Sequence, residues 1–143
     1  MRYLHLPVNK SPFFTAIDST TYKVKPLTLL STLSQCLRHH GALRPDAPAL
    51  RFYPAAGDNA AEPWITFAQA DERVDRIAAA LLQEGVSRGD RIAVRLDKSV
   101  DGILLFLGVL RAGAIYVPVN PSFTAREAGI LLEDSTPSLL IDN

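Results

Sequence analysis

The clearest pattern in the chain begins at Thr66. Phe67, Ala70, Val74, Ile77, Ala78 and Leu81 recur at helical spacing and share one face. Asp71, Glu72, Asp75 and Arg76 fall on the opposite face, with Glu72–Arg76 a favourable i, i+4 pair. Thr66 and Gln69 form a T-x-x-Q capping box at the start, and Gly85 supplies the stop. Three further helices follow from the same reasoning. One runs from about Leu27 to His40, with Leu29, Leu30, Leu33, Cys36 and Leu37 apolar and Gly41 as its end. One is capped by Ser99 and runs to about Ala112. It is apolar on nearly every side, which predicts burial on more than one face. Gly102 and Gly108 would let a neighbour approach it closely, and Gly113 ends it. The last opens on a Thr124–Glu127 capping box and runs to Asp134.

Short apolar runs lie between the helices. Ala49–Tyr53 and Trp64–Thr66 read as a strand pair around the polar loop Pro54–Pro63. Arg91–Leu96 follows the Gly89-Asp90 turn. Ala114–Val117 is continuously apolar, as in a sheet covered on both faces. Ser138–Ile141 is the final strand. From about residue 90 the order is therefore β-α-β-α-β with short connections. The fold class is α/β: an incomplete doubly wound parallel sheet with right-handed crossovers, preceded by a helix and a small strand pair. The last strand has no helix after it to cover it, so the pattern calls for more chain. Residues 1–25 lack a period and carry Pro7, Pro12 and the Ser19–Thr21 cluster. They read as a poorly ordered leader to a folded part spanning 26–143.

Composition narrows the function classes. A chain of 143 residues, 48% hydrophobic and 21% charged, suits one globular domain. Net charge is zero, but residues 1–51 carry seven basic and two acidic side chains and the remainder is correspondingly acidic. The basic residues are scattered, which argues against a nucleic-acid arm. No apolar run reaches the ~18–20 residues that span a bilayer, and no secretory signal follows Arg2. The expectation is a cytoplasmic protein with no membrane partner. Cys36 is the only cysteine. It could pair with His39 or His40 one helical turn along. An amphipathic helix with a small apolar Cys on its inner face and polar His near its end explains all three more economically.

Candidate chemistry is sparse. Asp71 and Asp75 could be paired acid/base carboxylates, but a solvated helix face is the commoner use of that spacing. The eight glycines are dispersed as helix stops and turns, so no Gly-rich loop presents clustered N–H donors to a phosphate. No catalytic residue and no metal ligand set is assigned. In open parallel sheets ligands gather beyond the carboxyl ends of strands. Asp97-Lys98-Ser99 occupies such an end before a helix N-terminus, which leaves Lys98 as the lone candidate for contact with a phosphate or carboxylate. The alternative is an ordinary exposed turn. Tyr116 and Pro118 read as packing and turn residues.

Four segments follow one another at a familiar spacing. They are Trp64-Ile-Thr-Phe67, Ala78-Ala-Ala-Leu-Leu82, Gly85-Val-Ser-Arg-Gly-Asp-Arg-Ile-Ala-Val94 and Leu110-Arg-Ala-Gly-Ala-Ile-Tyr-Val-Pro-Val-Asn120. Together they resemble the adenylate-forming (AMP-binding) acyl-CoA synthetases over roughly Leu33–Asn143. Thr66-Phe67 sits where that family's first core motif lies, and Leu110–Asn120 is similar to its second. Val94-Arg-Leu-Asp-Lys-Ser99 looks somewhat like the malonyl-CoA synthetase branch, which favours Lys-Ser at this turn.

The resemblance implies a parent enzyme that converts a carboxylate, ATP and CoA into acyl-CoA, AMP and pyrophosphate, with malonate or another short acid as substrate. It also implies motifs that these residues do not contain: a Ser/Thr/Gly-rich phosphate loop ending in Lys, an adenine-side Tyr-x-Glu, a ribose-binding Asp before a hinge, and a catalytic Lys. The expectation is thus an N-terminal fragment, cut before the phosphate loop and inactive alone. ATP, Mg and CoA belong to the parent and no cofactor to this chain. Its expected partners are a downstream synthetase fragment or further copies of itself. The alternative is a non-catalytic α/β remnant acting as a protein-interaction module through its unfinished sheet edge.

Overall fold

The computed structural model describes residues 2–5, 32–52 and 63–142. Residues 6–25 of the expected leader, 27–31 of the expected first helix, and Tyr53 with most of the polar loop lie outside these. The elements are β1 (Arg2–His5), α1 (Leu33–Leu43), β2 (Pro48–Leu50), β3 (Ile65–Thr66), α2 (Phe67–Gln83), β4 (Arg91–Arg95), α3 (Val100–Arg111), β5 (Ile115–Pro118), α4 (Ala125–Ser135) and β6 (Leu139–Asp142).

Four strands form one sheet in the order β1-β6-β4-β5, and every pairing is parallel. The chain steps from β4 to β5 through α3, then back across β4 to β6 through α4. Right-handed crossovers that step in opposite directions put their helices on opposite faces. The two cores agree. Ile92, Val94, Leu139 and Ile141 pack with Leu81, Leu105 and Val109 on one face. Ala93 and Leu140 pack with Val119 and Ala128 on the other. β2 and β3 pair antiparallel apart from this sheet.

Helix α3 explains its own composition. Leu105 and Val109 enter the sheet core, while Val100, Leu104 and Leu107 enter a second core with Ala70 and Val74 of α2. Both apolar faces are therefore covered. Gly108 makes the α2–α3 approach possible: a Cβ there would fall 2.8 Å from Ile77 Cβ and nearer still to its Cγ2. Gly102 has a different role from the one expected. Its nearest neighbours are Ser99 Oγ and the Asp97 carbonyl, so it serves the helix cap and not a neighbouring helix. Gly113 ends α3 at φ +79°, and its carbonyl accepts from Gly89 N–H at 2.9 Å. A left-handed residue here lets a buried helix pass into a strand with almost no loop.

Three expectations need correction. Residues 2–5 are a strand beside β6, where a poorly ordered leader was expected. Parallel pairing gives their backbone groups partners that an unstructured tail would leave to water. Helix α1 starts six residues late and runs past Gly41. Thr32 is extended and forms a capping box with Gln35, at 3.1 and 3.2 Å, which fixes the start. Gly41 is a contact point: a Cβ there would come within 3.2 Å of Asp71 Cβ. Finally, β5 is an edge strand, with Ile115 50% exposed, although its sequence reads as fully covered. The covered strand is β6, all four residues of which are buried between β1 and β4.

Candidate functional site

The loops after the adjacent strands β4 and β5 leave to opposite faces of the sheet. That divergence opens a crevice at their carboxyl ends, the place where open parallel sheets take ligands. On the α3 side it deepens into a cavity of about 510 Å³. Leu50, Phe52, Leu96, Ile103, Phe106 and Tyr116 supply its apolar walls, and Asp97, Lys98 and Ser99 line its mouth. Each position has a local cause. Ser99 is extended and its Oγ accepts from Gly102 N–H at 3.0 Å, which starts α3 at the mouth. Tyr116 faces inward from β5 and meets Phe106 edge to face, with ring centroids 5.2 Å apart. Burial raises the Tyr116 phenol above its ordinary value, so the hydroxyl stays protonated. Lys98 is exposed beside the positive end of α3. Beyond β5, Asn120 Oδ1 accepts from Ser122 N–H at 2.9 Å and closes the turn. Pro118 ends the edge strand, where its missing N–H costs no internal ladder bond.

On the α4 face at the same end, Arg95 and Asp142 form a bidentate pair across neighbouring strands. Asp142 is buried and Arg95 is about one-third exposed.

The site can receive an apolar group. Arg51 and Lys98 are the cations among its lining residues. Ser99 Oγ is committed to its cap, and the left-handed glycines Gly89 and Gly113 sit at the amino ends of β4 and β5, away from the crevice. Among the described residues no cluster of three His, Cys, Asp or Glu side chains could hold a metal ion.

The other candidates lie elsewhere. His39 and His40 contact each other edge on, and His40 leans on the Phe67 ring at 5.3 Å. Desolvation first, then Arg44 and His39, hold the His40 imidazole below its ordinary value. Cys36 is half-buried on α1. Asp75 is half-exposed and Asp71 is 20% exposed, and both are held by arginines of other helices. Arg111, at the end of α3, donates to Asp71 Oδ1 at 2.5 Å, the Asp71 carbonyl at 3.0 Å and Asp75 Oδ1 at 2.9 Å. It also donates to Ser34 Oγ at 2.8 Å and the Ser34 carbonyl at 3.2 Å. Arg38 of α1 reaches Asp75 Oδ1 at 2.5 Å. The sequence did hold a signal for this. Two like charges at i, i+4 repel, and a lone Arg closing an apolar helix is the cation that would relieve them.

With this geometry in view, the comparisons are consistent. The profile of the AMP-binding enzyme family matches residues 37–143. Tyrocidine synthase 3 of Brevibacillus parabrevis is 30% identical over 136 residues, which is 95% of this chain and 2% of that protein. The crystal structure of a putative long-chain-fatty-acid CoA ligase from Rhodopseudomonas palustris is 32% identical with a TM-score of 0.66, covering 78% of this chain and 26% of that one. A fatty acyl-adenylate ligase from L. pneumophila, solved with acyl adenylate and pyrophosphate, is 28% identical with a TM-score of 0.68, covering 76% and 19%. The chain belongs to the AMP-binding enzyme family. It spans a small part of the length of each relative, and its doubly wound fold is that of the N-terminal region of adenylate-forming enzymes. Among the described residues no helix is long and apolar enough to cross a membrane.

Proposed function

We propose that this chain supplies the N-terminal part of the large domain of an ATP-dependent acyl-CoA synthetase and is inactive by itself. The overall reaction would convert a carboxylate, ATP and CoA into acyl-CoA, AMP and pyrophosphate, with ATP and Mg held by other chain. The carrying observation is the match of the AMP-binding enzyme family over residues 37–143, on a crossover unit with an apolar crevice at the carboxyl ends of β4 and β5. Its relatives include a peptide synthase and CoA and acyl-adenylate ligases. Activation of an acid is thus the firmer half of the reading, and CoA as acceptor is the finer half. A short acid such as malonate rests on Lys98-Ser99 alone. The single cysteine fits a cytoplasmic setting.

Two measurements test the reading. Purified chain should give no carboxylate-dependent ATP–pyrophosphate exchange above a no-protein blank, across malonate, short acids and fatty acids. A chimera of the R. palustris ligase carrying residues 37–143 in place of its matching segment should retain exchange. Exchange by the isolated chain overturns the inactivity. A chimera that folds, by circular dichroism, yet activates no acid overturns the assignment of this stretch.

For partners, the proposal is a further synthetase segment or a second copy, meeting the sheet along β5. Ile115 is exposed on that strand, which has no neighbour on its outer side among the described residues. Sedimentation of the chain at tens of micromolar (roughly where exposed surfaces associate) should show species above the monomer. Ile115→Lys should reduce them, and a sharp monomer in the parent would dismiss the idea.

A further inference from the structure

Helix α1 is attached unlike the rest of the fold. It contributes one buried residue, and that residue is polar Ser34. Its terminal apolar side chains Leu33 and Leu43 are 56% and 68% exposed. Leu37 alone reaches the second core, and only as a partly buried neighbour. The two ends of α1 are held differently. At the C-terminal end the chain is tied through the Arg44–Ala47 turn to the start of α2: Phe67 and Ala68 N–H donate to the Ala47 and Pro45 carbonyls, both at 3.1 Å. The Arg44 guanidinium lies over the Phe67 ring, 4.6 Å from its centroid. At the N-terminal end the attachment is polar, made of charge-assisted hydrogen bonds to Ser34 and one ion pair.

The chemistry of that attachment is specific. A guanidinium has five N–H donors in a rigid fork. Arg111 uses five hydrogen bonds, two to Ser34 and three to Asp71 and Asp75, and its side chain is 9% exposed. The two aspartates belong to α2, so they fix the fork whether or not α1 is present. What remains for α1 is a preset pair of donors aimed at Ser34 Oγ and carbonyl. Arg38 adds a second arm from α1 back to Asp75, and this one is exposed at 60%.

We propose that α1 is a releasable cover over α2 and α3, hinged at Arg44–Ala47 and latched by the Arg111 fork on Ser34 together with Arg38 on Asp75. Opening the latch removes α1 while the sheet and α2–α4 stay folded. It uncovers the apolar surface against which Leu37 packs. Salt loosens the exposed Arg38 arm, because exposed pairs are screened and buried ones much less so. Lysine at 111 keeps the charge beside the aspartates but has no fork to extend to Ser34.

Native-state hydrogen exchange on the whole chain tests this, comparing amides Cys36–Leu43 with amides of β4. The α1 amides should exchange through an opening that leaves β4 protected, and raising NaCl from about 0.05 to 1 M should speed that opening alone. Ser34→Ala should accelerate α1 exchange about 10-fold or more, with β4 unchanged, since a charge-assisted bond is lost. Arg111→Lys should act in the same direction. If that variant fails to fold, Ser34→Ala and the salt series still decide. The proposal is overturned if α1 and β4 lose protection together in every condition, or if Ser34→Ala leaves α1 exchange unaltered.

Discussion

Gly108 and Gly129 both lie inside helices, and the same added methyl should act on them in opposite directions. Alanine is favoured over glycine in a helix interior by about 1 kcal/mol, so both substitutions begin with that gain. At Gly129 of α4 nothing lies within 4 Å of the new Cβ, and Gly129→Ala should stabilise by about that amount. At Gly108 the new Cβ meets Ile77 Cβ at 2.8 Å, with Cγ2 nearer. Ile77 is β-branched and stiff at χ1, so it cannot swing aside at low cost. Overpacking costs about 1–3 kcal/mol, and this contact belongs at the upper end. Gly108→Ala should therefore destabilise by about 2 kcal/mol net. The gap between the variants is then about 3 kcal/mol, or roughly 10–20 °C in Tm for a domain near this size. Urea unfolding with shared slopes would measure it. A double variant checks the cause. Ile77→Ala combined with Gly108→Ala should cost at least about 1 kcal/mol less than the sum of the singles. Equal shifts for the two alanines, or strict additivity with Ile77→Ala, would refute the close α2–α3 approach.

Other substitutions probe the turn, the strand ends and a cap. Gly113→Val must hold φ near +79° with a β-branched side chain and brings Cβ within 3.2 Å of Arg88 Cγ, so it should cost more than about 2 kcal/mol by urea unfolding. A cost near zero would move the end of α3 elsewhere. Arg95→Met should destabilise by at least about 1 kcal/mol by urea unfolding, because it removes the bidentate donor from a buried carboxylate. A cost near zero would dismiss the pair as a contributor. The backbone N–H of Thr124 first, then its hydroxyl, hold the Glu127 carboxyl below its ordinary 4.5. The unfolded chain then binds the proton more tightly. This contribution is present above about pH 4.5 and is lost as pH falls through the lower folded value. Glu127→Gln should flatten the stability profile in that acid window, and an unchanged acid slope would dismiss the cap as its source.

Much of the crossover unit was legible because its signals are local. Among the described residues, three helices start where Thr or Ser caps predict, at Thr66, Ser99 and Thr124. Alternation of strand and helix gave the parallel sheet. What was not legible depends on distant partners. The start of α1 hid behind Leu29 and Leu30, whose apolar spacing suggested an earlier start, while the Thr32–Gln35 box marked the true one. The place of β5 at the edge and of β6 inside cannot be read from either strand, since both are short apolar runs. Strand order is set by which way each crossover steps. Part of the site was legible: Asp97-Lys98-Ser99 was placed at a strand's carboxyl end, and these residues line the cavity. The cavity was not, because Leu50 ends β2 and Phe52 lies just beyond it, and they meet Phe106 and Tyr116 only in three dimensions.

The stretch Leu110–Asn120 shows why family likeness and local chemistry diverge here. Arg111 satisfies the α2 aspartates and the first turn of α1. Gly113 turns a buried helix into a strand. Tyr116 forms a cavity wall against Phe106, and Asn120 closes the turn that sends the chain to the opposite face. Each of these four residues is explained by what it touches. The stretch is therefore understandable as architecture: it fixes where β5 begins and ends and how its loop parts from the one after β4. The crevice follows from that divergence, at the carboxyl ends where open parallel sheets take ligands.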